Sequence, residues 1–543
     1  MRASKPCSPG GGRPRAPALH RRLHSGLRAG VLILGAPLIV AACGGDDDDA
    51  NAGTTPPPVA MSCASMVGMA LPDATITAAT EVAAGPFVPT GTASYTVPAF
   101  CRLQGRSTPT SDSLINFEVW VPKATAWNGK VVVTGNGGYS PALSYGDMVA
   151  ALGRGYATVG GDTGHQSADP NDLKFGIGHP EKIRDWGTRS IHAITQAAKP
   201  AITAVQGKTI ARSYYQGCST GGHQGYAEVQ RYPADFDGVI AGAPGNNRTA
   251  LNAGFMWQFL ANHAQNDNTT PILTNAKIQL VTRQAVAACD AKDGATDGVI
   301  SDPRRCTPDV FNVASLQCTG ADNANCLTAP QVSAMQKMYS GARNLRTGEQ
   351  VYPGWPVGSE SGWASYWGTT EPTRADYWRY WVFNDPNWNW WTFDFDQGMA
   401  TARTTVGPLV DQLSTDVSAF KARGGKLLVY NGWADPVVNP IDTIAYFDRL
   451  AQAQGSPAQV ASFARLFLVP GMGHCGGGTG TSTVDWLTAL DTWVESGVAP
   501  DALPASRVAN QVVNRTRPIC AYPKEAKYSG TGSIDDAANF TCG

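Results

Sequence analysis

The chain has 543 residues, more than one hydrophobic core usually fills, and its 43% hydrophobic and 16% charged composition is that of a globular protein with a main domain plus an inserted or appended one. A formal net charge of −1 offers nucleic acid no basic face. Sixty Gly and 37 Pro favour a loop-rich protein over a helical bundle.

The N-terminus reads as an address. Arg13, Arg15, Arg21, Arg22 and Arg28 precede an apolar run from Val31 to Ala42 that is too short to span a bilayer comfortably. The run ends Val40-Ala41-Ala42-Cys43, similar to a bacterial lipobox in which Cys43 would be lipidated. Cleavage nearby at a small-residue site, giving a soluble secreted protein, is the alternative. Either way residues 1–43 are expected as a signal segment and 44–60, rich in Asp and Pro, as a disordered tether. Membrane attachment is expected only through such an anchor, and the sequence does not fix an oligomeric state.

Export turns the cysteines into disulfide candidates. Of 12 Cys, Cys7 and Cys43 fall in the leader and ten remain. Local spacing suggests Cys63–Cys101, Cys289–Cys306, Cys318–Cys326 and Cys520–Cys542, leaving Cys218 and Cys475; spacing alone does not fix the connectivity. No CxxC pair occurs, which speaks against a zinc ribbon or a redox motif.

Strand-like and helix-like segments alternate over 130–245, as in βαβ units. Lys130–Thr134 and Tyr156–Gly160 read as strands, Arg189–Val205 as a helix, Ala211–Gln216 as a strand, Gly222–Arg231 as a helix and Gly238–Gly242 as a strand. From about Asn247 to Asp416 the alternation stops. The pattern resumes with a strand at Lys426–Tyr430, a helix at Ile441–Ala453, a strand at Leu466–Val469 and a helix at Val484–Glu495. The expected fold is α/β, an α/β-hydrolase domain in two parts (61–246 and 417–543) split by a lid domain (247–416).

Gly217-Cys218-Ser219-Thr220-Gly221 sits between a strand and a helix, the setting of a nucleophile elbow. A serine hydroxyl needs a base, and the base needs a carboxylate to orient it. His474, after a strand and a glycine-rich turn, suits the base, and Asp435, in the loop after Lys426–Tyr430, suits the carboxylate. Asp442 and Asp416 are rivals to Asp435. The order Ser, Asp, His is that of α/β-hydrolases. Cysteines beside both the serine and the histidine suggest a bridge tying base to nucleophile. Backbone N–H groups of Thr220 and of Gly138, in Gly135-Asn136-Gly137-Gly138, are candidates for an oxyanion hole, a plain glycine turn being the alternative at Gly138.

Asp290, Asp293 and Asp297, interleaved with Gly294 and Gly298, suit a hard oxygen-binding cation such as Ca²⁺; a solvated acidic turn is the alternative. Trp355, Trp363, Trp367, Trp378, Trp381, Trp388, Trp390 and Trp391 crowd the 247–416 segment. Most are expected in its core, with some forming a flat wall for an aromatic acyl group. His165, His192 and His223 are expected as buried, hydrogen-bonded histidines rather than ligands.

With these residues in view, the chain resembles the tannase and feruloyl esterase family from about Cys63 to the C-terminus. The resemblance is carried by Gly217 through Gly222, Asp162-Thr163-Gly164-His165, Cys289 through Gly298, Trp381-Val382-Phe383-Asn384-Asp385-Pro386, Gly432-Trp433-Ala434-Asp435 and Gly471-Met472-Gly473-His474-Cys475. It implies an α/β-hydrolase with a lid, a Ser-His-Asp triad, a Cys218–Cys475 bridge and lid-bound Ca²⁺, with no organic cofactor. Carried onto this chain, the calcium ligands would be the side chains of Asp290, Asp293 and Asp297 and the carbonyls of Ala295 and Val299. Substrates implied are small aromatic esters: gallates, hydroxycinnamates and the mono(2-hydroxyethyl) ester of terephthalate. Members acting on that last ester carry Glu after the nucleophile, where this chain has Thr220; Arg374 and Arg379 are candidates to bind its free carboxylate. The rival reading is a non-catalytic, surface-anchored binder of aromatic compounds on a hydrolase scaffold. A peptidase on the same fold is a third.

Overall fold

Alternate valines in Lys130–Thr134 go to opposite faces of one sheet. Val131 and Val133 join a core with Ile191, Ile194 and Ala198 of the helix at Ser190–Gln206, while Val132 joins a second with Leu487 and Leu490 of the helix at Trp486–Ser496. Such strands, covered by helices on both sides, have no polar face to spare, which is why they read as near-continuous apolar runs. The computed structural model describes residues 59–543 apart from 92, 168 and 170. The leader, Cys43 and all but the last two residues of the expected tether lie outside the described residues.

The sheet has ten strands: β1 (Ala70–Leu71), β2 (Ala74–Val82), β3 (Phe100–Ser107), β4 (Ile115–Pro122), β5 (Lys130–Thr134), β6 (Ala157–Gly161), β7 (Arg212–Cys218), β8 (Gly238–Gly242), β9 (Lys426–Gly432) and β10 (Ala464–Val469). Their spatial order is β1-β2-β3-β4-β6-β5-β7-β8-β9-β10. The pairs from β1 to β4, and β4 with β6, are antiparallel; from β6 to β10 every pair is parallel, as with Lys130 beside Arg212 and Gly238 beside both Tyr214 and Lys426. This is the α/β-hydrolase layout. The parallel strands put their carboxyl ends on one edge, where ligands of open α/β sheets bind.

β8 and β9 are hydrogen-bonded neighbours, yet residues 243–425 lie between them in sequence. Among the described residues this segment adds no strand to any sheet and is built on helices at Arg248–Asn262, Asn275–Cys289, Ala329–Ser340 and Gln397–Thr405. Trp355, Trp363 and Trp367 fill its own core, and Trp378 and Trp381 pack in a second one shared with Tyr139 and Trp186. Indole N–H groups are used there as well: Trp363 donates to Ser359 Oγ at 2.8 Å and Trp381 to the Leu173 carbonyl at 2.8 Å.

The expected strands and helices are present with ends shifted by a residue or two, as at Ala157–Gly161 and Ser190–Gln206. The antiparallel extension β1–β4 and the hairpin of Ala502–Ala509 with Val512–Cys520 were not anticipated from the sequence pattern. Five disulfides join Cys63 to Cys101, Cys218 to Cys475, Cys289 to Cys306, Cys318 to Cys326 and Cys520 to Cys542. Among the described residues no helix is long and apolar enough to cross a membrane.

Candidate active site

β7 ends at Cys218, and the next residue turns sharply: Ser219 has φ 66° and ψ −115°, a conformation costly for any side chain, and the helix Thr220–Arg231 starts immediately after. The turn is held by Ser219 N–H on the Gly242 carbonyl at 2.9 Å. It also demands small neighbours. A Cβ on Gly222 would lie 2.1 Å from the Gly242 oxygen, and one on Gly217 would lie 2.6 Å from the Tyr215 hydroxyl. The outcome is a serine raised over the carboxyl edge of the sheet.

Asp435 lies in the turn after β9, its side chain fully buried. One carboxylate oxygen accepts the N–H groups of Val437 (2.7 Å) and Val438 (3.0 Å); the other accepts His474 Nδ1 at 2.8 Å. With Nδ1–H donated to the carboxylate, Nε2 is the ring nitrogen left to act as a base. The rivals are elsewhere. Asp416 accepts the N–H of Ser418 at 3.1 Å as a local cap, and Asp442 accepts Asn247 Nδ2 at 3.0 Å while burial pushes its carboxyl up to about 6.

Ser219 and His474 line one cleft of about 550 Å³. Among the described residues no hydrogen bond joins the Ser219 hydroxyl to His474, a looseness common before substrate binds. What fixes their approach is covalent: Cys218 and Cys475, the residues next to each, are bridged with Cα atoms 5.9 Å apart.

Gly135–Gly138 follows β5 and lines the same cleft. Asn136 stiffens it, accepting restraint from both sides: its N–H donates to Gln224 Oε1 at 3.0 Å and its side chain to the Gly161 carbonyl at 2.8 Å. Gly138, at φ 56°, accepts the Thr220 hydroxyl on its carbonyl at 2.7 Å. Thr220 is the first residue of its helix, so its N–H has no acceptor inside the helix.

His165 is buried and reaches the Tyr139 carbonyl from Nε2 at 2.8 Å, bracing the glycine loop from behind. Burial holds its pKa down to about 4, so the ring is neutral. Asp162, whose carboxylate accepts the Asn116 N–H at 2.9 Å and the Gly164 N–H at 3.0 Å, is pushed up to about 6 by the same burial. His223 is fully buried and held well down; His192 is half-buried and hydrogen-bonded to Asp235 at 2.6 Å.

The expected tryptophan wall is corrected: none of the eight crowded Trp residues lines the cleft. Trp355, Trp363, Trp367, Trp378 and Trp381 are buried in cores and Trp388, Trp390 and Trp391 are half-buried away from the cleft, while the inserted segment instead contributes Ser365, Tyr366, Thr373 and Arg374. Tyr366 carried no signal in the sequence, being one aromatic among many in a segment without periodicity. Of the two arginine candidates, Arg379 is paired with Glu371 at 2.8 Å and with Asp376. Arg374 stands at the cleft with its guanidinium 5.4 Å from the centre of Tyr139 and 5.0 Å from that of Phe255, its buried Nη1 without a partner.

The acidic loop closes on Asp290, whose carboxylate accepts the N–H groups of Asp297 (3.2 Å), Gly298 (2.9 Å) and Val299 (3.3 Å). Asp293 accepts the Ala295 N–H at 2.8 Å and the Ser301 hydroxyl. Oxygen-only donors on a loop clamped by Cys289–Cys306 fit a hard divalent cation on donor chemistry. Burial raises the Asp297 carboxyl, Arg517 and Arg515 lower it, and the charges of Asp293 and Asp290 raise it again. Arg517 and Arg515 thus neutralise one of the three carboxylates from the C-terminal hairpin. Among the described residues, the groups of three His, Cys, Asp or Glu with ligand atoms within 4.8 Å of one another lie at Cys318, Asp322 and Cys326 and at His192, Glu228 and Asp235, not in this loop.

The family model described as tannase and feruloyl esterase matches residues 101–543. An uncharacterised esterase of Xanthomonas campestris pv. campestris is 37% identical over 531 residues, covering 89% of this chain and 91% of that protein. The mono(2-hydroxyethyl) terephthalate hydrolase of Piscinibacter sakaiensis is 33% identical over 496 residues, covering 79% and 81%. The crystal structure of feruloyl esterase B from Aspergillus oryzae superposes with a TM-score of 0.80 at 32% identity, covering 87% of this chain and 97% of that one. The chain is therefore a carboxylic ester hydrolase, and it belongs to the tannase and feruloyl esterase family.

Proposed function

We propose that the chain is an exported serine esterase that cleaves esters of aromatic acids. The observation that carries the chemistry is the Asp435–His474 hydrogen bond at the cleft that holds Ser219. Ser219 Oγ attacks the ester carbonyl as His474 Nε2 takes its proton, and the N–H groups of Thr220 and Gly138 receive the oxyanion. The same proton goes to the departing alcohol; water, activated by His474, then releases the acid from the acyl-enzyme. Asp435 keeps the imidazole in the Nδ1–H tautomer and stabilises its cationic form. Export is supported by the five disulfides, which suit an oxidising compartment.

The acyl group we assign is one with a second, free carboxylate, as in the ester named by the Piscinibacter relative. Arg374 supports this, since it lines the cleft and its guanidinium is in no ion pair among the described residues, which leaves its charge available to a carboxylate. The test is acid release from methyl ferulate, methyl gallate and mono(2-hydroxyethyl) terephthalate. Terephthalate release is expected to be fastest, and Arg374→Leu to lower kcat/KM on that ester by about 10- to 100-fold. Equal losses on all three esters, or a clear preference for ferulate or gallate, would remove the carboxylate assignment and leave the esterase standing.

Calcium we place in the acidic loop, on the carboxylates of Asp290, Asp293 and Asp297 and the carbonyls of Ala295 and Val299. When bound it would supply positive charge among three carboxylates, a structural role. A chelator is expected to lower the melting temperature by several degrees, reversibly on adding Ca²⁺, and Asp293→Ala to abolish that response. A melting curve indifferent to chelator and Ca²⁺ would show that the loop's own hydrogen bonds and the two arginines suffice.

A further inference from the structure

Arg248, first residue of the helix Arg248–Asn262, is 1% exposed and makes no ion pair among the described residues. Asp411, a carboxylate close enough to feel its charge, is occupied by the Thr249 N–H at 2.9 Å and hydroxyl at 2.8 Å. A buried, unpaired cation is expensive, and stacking on Trp186 (5.1 Å) and Tyr139 (5.9 Å) offsets only part of that cost. Such a group calls for a reason.

Its hydrogen bonds give one. Nη2 donates to the Thr220 hydroxyl at 3.1 Å and to His223 Nδ1 at 3.2 Å. An arginine can only donate, so the Thr220 oxygen accepts and its own proton goes to the Gly138 carbonyl, 2.7 Å away. One directed chain thus runs from Arg248 through Thr220 to Gly138. It joins the residue after the nucleophile to the glycine loop that lines the cleft, the two segments proposed to supply the oxyanion donors.

Given the Ser219 mechanism, we infer that Arg248 is the positioning residue of the oxyanion hole: through the Thr220 hydroxyl it fixes the two donor segments relative to each other, and its uncompensated charge favours the state in which the substrate oxygen turns negative. In a water-poor site a charge fixed before reaction acts without reorganising, and hydrogen bonds in series reinforce one another. The arginine stays protonated at neutral pH, for burial and Arg374 bring its pKa down only to about 10. His223, held neutral by burial and by Arg248, leaves its Nδ1 free to accept.

The test uses the full-length enzyme with 4-nitrophenyl acetate, a substrate indifferent to the acyl pocket. Thr220→Val keeps the volume and removes the relay; Arg248→Met removes the charge. Each is expected to lower kcat by about tenfold or more with KM within about twofold, and the double variant to be hardly worse than either single one. Thr220→Ser, which restores the hydroxyl, should recover most of the rate that Thr220→Val loses. An arylboronic acid, whose adduct with Ser219 is tetrahedral and anionic, should bind the two damaged variants more weakly by the same factor as kcat falls. Should Arg248→Met not fold, the Thr220 pair decides alone. An unchanged kcat in Thr220→Val, or equal losses in the Val and Ser variants, overturns the inference. Loss of the Ser219 mechanism itself would show differently, as wild-type protein that a serine-directed phosphonate does not label.

Discussion

Ser219→Ala is expected to reduce ester turnover by roughly 10⁴-fold or more and to abolish labelling by a serine-directed phosphonate, with circular dichroism and melting temperature close to those of the parent. The size follows from the chemistry. Without Oγ there is no acyl-enzyme, and only the oxyanion donors and the bound geometry remain to help water attack. The fold should tolerate the change well, because alanine suits the position as far as volume goes and the φ of 66° is imposed by the flanking glycines and the Gly242 carbonyl rather than by the hydroxyl. Turnover within tenfold of wild type, in a protein free of parental contamination, would sink the assignment of Ser219 and with it the roles given to His474 and Asp435.

Opening the Cys218–Cys475 bridge should cost nearly as much in a different currency. The bridge spans 257 residues, and on the chain-entropy model a loop of that length contributes about 5 kcal/mol against the unfolded chain. Its removal also frees the His474 loop to drift, and a displacement of about 1 Å at a catalytic group is enough for a 100-fold loss. We expect Cys218→Ser with Cys475→Ser to lose about 100-fold in kcat and to melt well below the parent, while the far-ultraviolet spectrum at 20 °C keeps its shape, because the sheet is held by β7–β10 pairing and by cores on its two faces, one of which Cys218 meets only at its margin. A double variant with parental kcat would mean that the glycine-rich loop holds His474 unaided.

The parallel half of the sheet was legible because strands such as Lys426–Gly432 are buried on both faces and end in loops that carry chemistry. Ser219, Asp435 and His474 stood out for the same reason, each at the end of a strand. β3 and β4 carry an equally readable alternation, as at Ile115, Phe117, Val119 and Val121, but it precedes the βαβ pattern and a sequence reading anchored on that pattern passes over it. The inserted segment was opaque for a physical reason: its short 3₁₀ and π turns have no long period, so nothing in the sequence tells a core Trp from a cleft-lining Tyr. Arg248 was invisible too, since an arginine opening a helix ordinarily faces water.

In chain order the ten described cysteines do not pair as neighbours throughout. Cys289–Cys306 and Cys318–Cys326 are nested inside Cys218–Cys475. A chain oxidised as it emerges from a membrane pore would present Cys218 with Cys289 as its next available partner, and joining those two would strand Cys306. Every later choice would then be displaced by one, until Cys475 was consumed by Cys326. With export as proposed, the nesting predicts a need for correction of such errors: a host whose export compartment shuffles disulfides should yield active enzyme, and one that only oxidises should yield folded-looking, inactive isomers.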